Sequence, residues 1–158
     1  MFRPMRRSKQ QVSREACEKV LREAPRGVLA LLGDDDYPYT VPMDFLYEPA
    51  EGKIYFHCAK TGHKIDAIAA HDKASFCVMD EGFRKSGEWA LNITSVVVFG
   101  RIRPVEDRER ALDKVLALGI RYHPTEEAAR KELEKAADRV VCLELTIEHM
   151  TGKLVNES

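Results

Sequence analysis

Ile93 to Val105 reads Ile-Thr-Ser-Val-Val-Val-Phe-Gly-Arg-Ile-Arg-Pro-Val, a long β-branched and apolar run with Gly100 in its middle. Such a composition favours a strand, and a glycine inside it marks a bulge or sharp bend of the kind that closes barrels. The other apolar runs are strand-like too. Gly27-Val-Leu-Ala-Leu-Leu-Gly33 is continuously apolar and suits a strand buried on both faces. Tyr39 to Glu48 is a second strand, in which Pro42 removes a ladder donor and so implies an edge or a bulge. Between them Asp34-Asp35-Asp36 reads as an acidic hairpin turn. Three carboxylates could also hold a metal, but no further ligand follows at useful spacing. Pro49-Ala-Glu-Gly52 turns the chain into Ile54–His57, and strands joined by short turns indicate an antiparallel meander.

The remaining strands alternate. In Lys73 to Asp80, Ala74, Phe76 and Val78 face one side while Ser75, Cys77 and Met79 face the other. In Val140 to Ile147 the inward set is Val141, Leu143, Leu145 and Ile147, and Thr151-Gly152-Lys153 follows the end of the sheet. Helices carry their own start signals. Ser13 caps one to about Ala24, with Cys17, Val20 and Leu21 on one face and Pro25 beyond its end. Asp107 caps another to about Tyr122, and Pro124-Thr125 opens a third with Glu126 and Glu127 in its first turn. The expected class is mainly β with peripheral helices (α+β): six mostly antiparallel strands and about four helices in a small closed or split β-barrel. Residues 1–158 read as a single domain, and 1–12 as a basic N-terminal arm. That arm is either a loose solvated segment or one that lies across a neighbouring subunit or an anionic ligand.

Composition narrows the function. With 25 basic and 26 acidic residues the net charge is −1, which gives no electrostatic case for nucleic-acid or membrane binding as the main activity. No apolar run approaches a bilayer's thickness, and the N-terminus lacks the apolar core of a signal peptide. Cys17, Cys58, Cys77 and Cys142 stand far apart with no CxxC pair, so zinc-site spacing is absent and a reduced, cytoplasmic setting is expected.

The stretch Ile54 to His71 is where chemistry concentrates. It begins as a strand and turns basic and glycine-bearing at Lys60-Thr61-Gly62-His63-Lys64. It then restarts with helical spacing at Ile65, Ile68 and Ala69. Two readings fit. One is an ordinary strand-to-helix turn with solvated Lys and His. The other is an anion site, because helix N-terminal N–H groups favour negative charge and glycine lets the backbone approach. The spacing matches neither the Walker loop nor GxGxxG. His57 is either a packed strand-end side chain or a ligand-facing one.

In order and spacing these pieces resemble the FMN-binding split-barrel superfamily, of which pyridoxamine 5'-phosphate oxidase is the best-known member. Within it the chain looks most like the nitroimidazole-resistance (Nim-type) flavoproteins. The carrying residues are Phe2-Arg3-Pro4-Met5-Arg6-Arg7 with Gln10, Val41-Pro42-Met43-Asp44-Phe45, Ile54-Tyr55-Phe56-His57-Cys58-Ala59 with Gly62-His63-Lys64, Ser95–Gly100 and Thr151-Gly152-Lys153. The resemblance implies a homodimer with FMN in clefts at the subunit interface. Val41, Pro42 and Met43 would pass the flavin ring with their backbone, and His57 would lie beside the ring as the catalytic residue. Lys60, Thr61, His63 and Lys64 would meet the phosphate. Ser95 would approach from the long strand, and Trp89 would wall the pocket from the partner subunit. The implied activity is electron transfer from reduced flavin to a small electron-poor acceptor; the arginine- and serine-rich substrate constellation of the vitamin B6 oxidase is missing. Other readings are an FMN carrier or redox sensor, or a relative using haem (with His57 as iron ligand) or deazaflavin. No resident metal is expected in the flavin reading.

Overall fold

The computed structural model describes residues 1–156. Among these, seven strands form one antiparallel sheet: β1 (Gly27–Leu32), β2 (Pro38–Met43), β3 (Leu46–Glu48), β4 (Lys53–Ala59), β5 (Lys73–Met79), β6 (Asn92–Pro104) and β7 (Val140–Asn156). Four α-helices accompany it: α1 (Arg14–Glu23), α2 (His63–Ala70), α3 (Arg108–Tyr122) and α4 (Glu126–Ala136). Their starts are the expected ones. Ser13 accepts from the Ala16 N–H, Asp107 from Arg110 and Thr125 from Ala128.

The strand order is β2-β1-β5-β6-β7-β4-β3. The seventh strand, one more than expected, arises because Tyr39–Glu48 is two strands rather than one. β2 pairs with β1 at one edge of the sheet, whereas β3 pairs with β4 at the other. Only Asp44 and Phe45 join them, so the sheet curls until its edges meet at this corner, yet no ladder closes it. Pro42 lies on the edge strand β2, opposite Val28, the kind of strand to which proline is confined within sheets. The corner is held by side chains of α3 instead. Tyr122 Oη accepts from the Phe45 N–H at 3.0 Å and donates to the Pro25 carbonyl at 2.7 Å, while Arg121 donates to the carbonyls of Phe45, Arg22 and Ala24.

The bulge expected at Gly100 is present. Phe99 pairs with His149 and Gly100 with Ile147, which leaves Glu148 as the extra residue of β7. A Cβ on Gly100 would sit 2.0 Å from the Thr146 carbonyl oxygen, so the two backbones touch where the long strands bend. β7 itself runs to Asn156 rather than ending near Ile147; it pairs with β6 along that whole length, and Thr151-Gly152-Lys153 lies inside it.

The interior is lined by the inward residues of the curled sheet. Phe76 meets Phe45 and Phe56 edge-on, each with ring centroids 5.0 Å apart, amid Leu29, Ile54, Ile102, Leu143 and Leu145. β1 departs from its reading as a strand buried on both faces. It alternates, with Leu29 and Leu31 inside but Val28 and Leu32 still 39% and 37% exposed. In α2 the buried pair is Ala67 and Ile68, and Ala69 is exposed, so the inward face is turned from the expected one. In β7 Cys142 and Glu144 are buried as well as Leu143 and Leu145, because α3 covers the outer side there.

Glu144 is 1% exposed and accepts hydrogen bonds from Lys53 (2.9 Å), Arg103 (2.8 Å) and Arg110 (2.9 Å). Arg110 and Tyr55 extend this network to Glu51, which also accepts from Lys114 at 2.6 Å. A buried carboxylate at the meeting of β4, β6, β7 and α3 thus fixes the helix on the sheet. Burial alone would raise its pKa, but the three donors hold it down at about 2. The basic arm is not loose either. Phe2 stacks on His149 (4.6 Å between centroids, 6° between planes), and Gln11 forms a bridge with Lys153.

Candidate functional site

β4 presents His57 opposite Cys142 of β7, on the outer side of the sheet, while Ile54 and Phe56 fill the core. Three cavities converge on this imidazole. The first, about 380 Å³, is lined by Arg26, Pro42, Met43, Asp44 and His57. The second, about 520 Å³, adds Cys58, Ala59, Lys64, Arg139 and Val140. The third, about 310 Å³, lies between α3 and α4. Together they make a groove from the edge strand β2, past His57, to the start of α2. A separate cavity of about 330 Å³ beside Asp80–Phe83 has acidic polar groups, Glu23, Asp80 and Glu81, and does not suit an anion.

The groove is polarised. At one end β2 is an edge strand, whose outer row of backbone groups is free to bond a planar heterocycle. At the other end Lys64 and Arg139 face the same cavity, next to the start of α2. Gly62, with φ 125°, precedes that helix without a side-chain cap, so its first-turn N–H groups point outward unshared by a cap. Two cations and a helix N-terminus suit a phosphate dianion. His63 is differently engaged: it stacks on Tyr39 (4.0 Å, 24°) and stands 3.9 Å from Asp34, tying α2 to the β1–β2 turn.

His57 is exposed in this chain, yet the groove atoms packed round it lower its pKa below the ordinary histidine value; Asp44 opposes this and Lys64 adds to it. A neutral ring with one N–H and one bare nitrogen follows at neutral pH. Asp44, which accepts from Arg26 Nε at 2.8 Å, is the carboxylate nearest this balance. The thiols are unreactive by comparison: burial raises Cys58 and pushes Cys142 up to about 12.

The structure therefore brings Pro42, Met43, His57 and Lys64 to one groove. Val41, just before Pro42, packs against the core. Lys60 and Thr61 lie exposed in the loop before α2. Ser95 and Trp89 are elsewhere in the same chain. Ser95 pairs with Lys153, at the opposite end of β7 from the His57 partner Cys142, and Trp89 is 71% exposed on the β5–β6 connector. Sequence reasoning missed Arg139, Arg26 and the α3–α4 cavity. Arg139 reaches His57 only through the β4–β7 pairing of Ala59 with Val140, which no local spacing announces. Among the described residues no group of His, Cys, Asp and Glu is arranged to hold a metal ion, and no helix is long and apolar enough to cross a membrane.

A family model described as pyridoxamine 5'-phosphate oxidase matches residues 13–154. No curated protein matches the sequence. Among solved structures, a candidate 5-nitroimidazole antibiotic resistance protein of Bacteroides thetaiotaomicron is similar. Its identity is 18% and its TM-score 0.75, over 92% of this chain and 87% of that one. A FAD-binding protein of Mesorhizobium loti is 23% identical over 92% and 96% of the two chains, with a TM-score of 0.63. A FAD- and haem-binding protein of Mycobacterium smegmatis is 23% identical over 94% and 74%, with a TM-score of 0.73. At such identities the likeness is one of fold.

Proposed function

The chain belongs to the pyridoxamine 5'-phosphate oxidase family, and from that premise we propose that it is an FMN-binding oxidoreductase that reduces a small electron-poor acceptor. The observation that carries this reading is the polarised groove: a backbone edge at Pro42–Met43, a cationic end at Lys64 and Arg139, and His57 between them. That donor set fits a planar ring with an anionic tail. Bound flavin would supply the electrons, and the protein supplies position, exclusion of water and protons. Lys64, Arg139 and the α2 N-terminus hold the phosphate. Neutral His57 donates its ring N–H to the acceptor as charge develops there, and Asp44 limits how far its basicity falls. Relatives described as binding FAD make the length of the flavin's tail part of the test.

The reading includes a homodimer. Val28, Leu32, Met79 and Phe99 are between 37% and 61% exposed on the outer side of β1, β5 and β6, an apolar face that a second copy would cover. Ser95 and Trp89 would then join the partner's groove. Sizing chromatography of flavin-loaded protein checks this, and a flavin-saturated monomer would overturn it.

Purified protein is expected to be yellow and to release FMN rather than FAD on acid treatment. Lys64→Ala should weaken FMN binding by about 1.5–3 kcal/mol, the usual range for a charge-assisted bond, measured by flavin titration of apoprotein. An unchanged affinity would remove the phosphate from this end of the groove. His57→Ala should keep its flavin while acceptor reduction, followed by stopped-flow reoxidation, slows about a hundredfold. A colourless but folded variant would make His57 a cofactor-holding residue instead.

A further inference from the structure

We propose that the cavity between α3 and α4 is the acceptor site, built for a neutral, planar molecule of one or two rings. This rests on the flavoprotein reading above and adds to it a place and a chemical class. The walls are apolar and small: Val115, Gly119, Ala129, Leu133, Ala136 and Val140. A Cβ on Gly119 would lie at ordinary contact distance, 3.5 Å from that of Ala129 and 3.8 Å from the His123 ring, so the two helices meet here without crowding. The missing side chain of Gly119 and the short one of Ala136 leave a hollow between the helical hairpin and β4 instead of a filled interface. Its volume of about 310 Å³ stands at the lower end of small-ligand pockets, too small for a whole flavin nucleotide and suited to one or two rings.

Charge decides the class. The polar groups on this cavity are His57, His123 and Glu132, so its one carboxylate is that of Glu132 and no lysine or arginine lines it. Lys64 and Arg139 line the adjoining cavity, which shares His57, Ala136 and Val140 with this one. Anions are therefore drawn to one side of the shared wall and repelled on the other. His57 belongs to all three cavities and is the point at which a molecule in the hairpin cavity and one in the flavin groove both touch the protein.

The test uses menadione, a neutral two-ring quinone, and 1,2-naphthoquinone-4-sulfonate, its anionic counterpart, on protein with labelled Val, Leu and Ala methyl groups. Saturable methyl shifts at Val115, Leu133 and Ala136 are expected with menadione and not with the sulfonate. Val115→Phe, which fills the hollow, should raise the menadione dissociation constant at least about tenfold without changing flavin content. Glu132→Lys, an exposed change that leaves the walls intact, should improve sulfonate binding about fivefold. Shifts confined to other methyls, or equal binding of the two quinones to both Glu132 forms, would overturn the proposal. The two readings separate cleanly. FMN binding with no shift at these methyls sinks the acceptor site alone, whereas menadione shifts in a protein that takes up no flavin sink the flavoprotein reading and leave the cavity as a ligand site.

Discussion

Glu144→Gln is expected to destabilise the folded protein by about 3–5 kcal/mol, the range for removing one partner from a buried ion pair. Glutamine keeps the shape but leaves Lys53, Arg103 and Arg110 facing one another without their common anion. Exposure orders the three cations. The Lys53 side chain is 20% exposed and cannot relax fully into water, that of Arg110 is 38% exposed and that of Arg103 72%. Arg103→Ala should accordingly cost under about 1 kcal/mol. Equal costs for the two variants in denaturant unfolding would show that burial of the carboxylate carries little. The pH dependence has a defined sign. The folded-state pKa is lowered from 4.5 to about 2, so the stabilisation is fully present above pH 4.5 and is lost as pH falls towards 2. Glu144→Gln should flatten the unfolding curve over that window.

Gly100→Ala should cost about 3 kcal/mol, at the upper end for overpacking, because the added methyl meets backbone rather than a movable side chain. The Thr146 carbonyl cannot withdraw without opening the bulge that bends β6 and β7 together. Gly52→Ala is the contrast. Nothing lies within 4 Å of where a Cβ would stand, so only its positive φ of 62° opposes the change, at about 1 kcal/mol. If thermal unfolding places the two alanine variants at the same midpoint, the close approach at the bulge is not what shapes the sheet.

Gly100 and Pro42 also show how far the fold was legible. A glycine inside a β-branched run and a proline inside a strand each break a local rule, and each marked a real feature, the bulge and the sheet edge. The helix starts were legible for the same reason, since a cap is decided within four residues. What failed depended on distant partners. The break at Asp44–Phe45 follows from α3 taking the Phe45 backbone groups, and the length of β7 follows from its pairing with β6. In the site, His57 and Lys64 belong to one continuous strand-loop-helix stretch and could be read together. Arg139 and the α3–α4 hollow could not, because pairing of Ala59 with Val140 is a tertiary event.

The corner at Asp44–Phe45 has a kinetic consequence. Where β2 and β3 meet, two side-chain bonds stand in for a ladder at Phe45: Tyr122 accepts from its N–H and Arg121 donates to its carbonyl. Releasing the end of α3 would therefore free this corner of the open sheet at less cost than parting two paired strands. Asp44 sits at that corner and lines the same cavity as His57. Exchange of the Phe45 amide hydrogen with solvent is therefore expected to slow when the groove is filled, measured by hydrogen exchange with and without flavin.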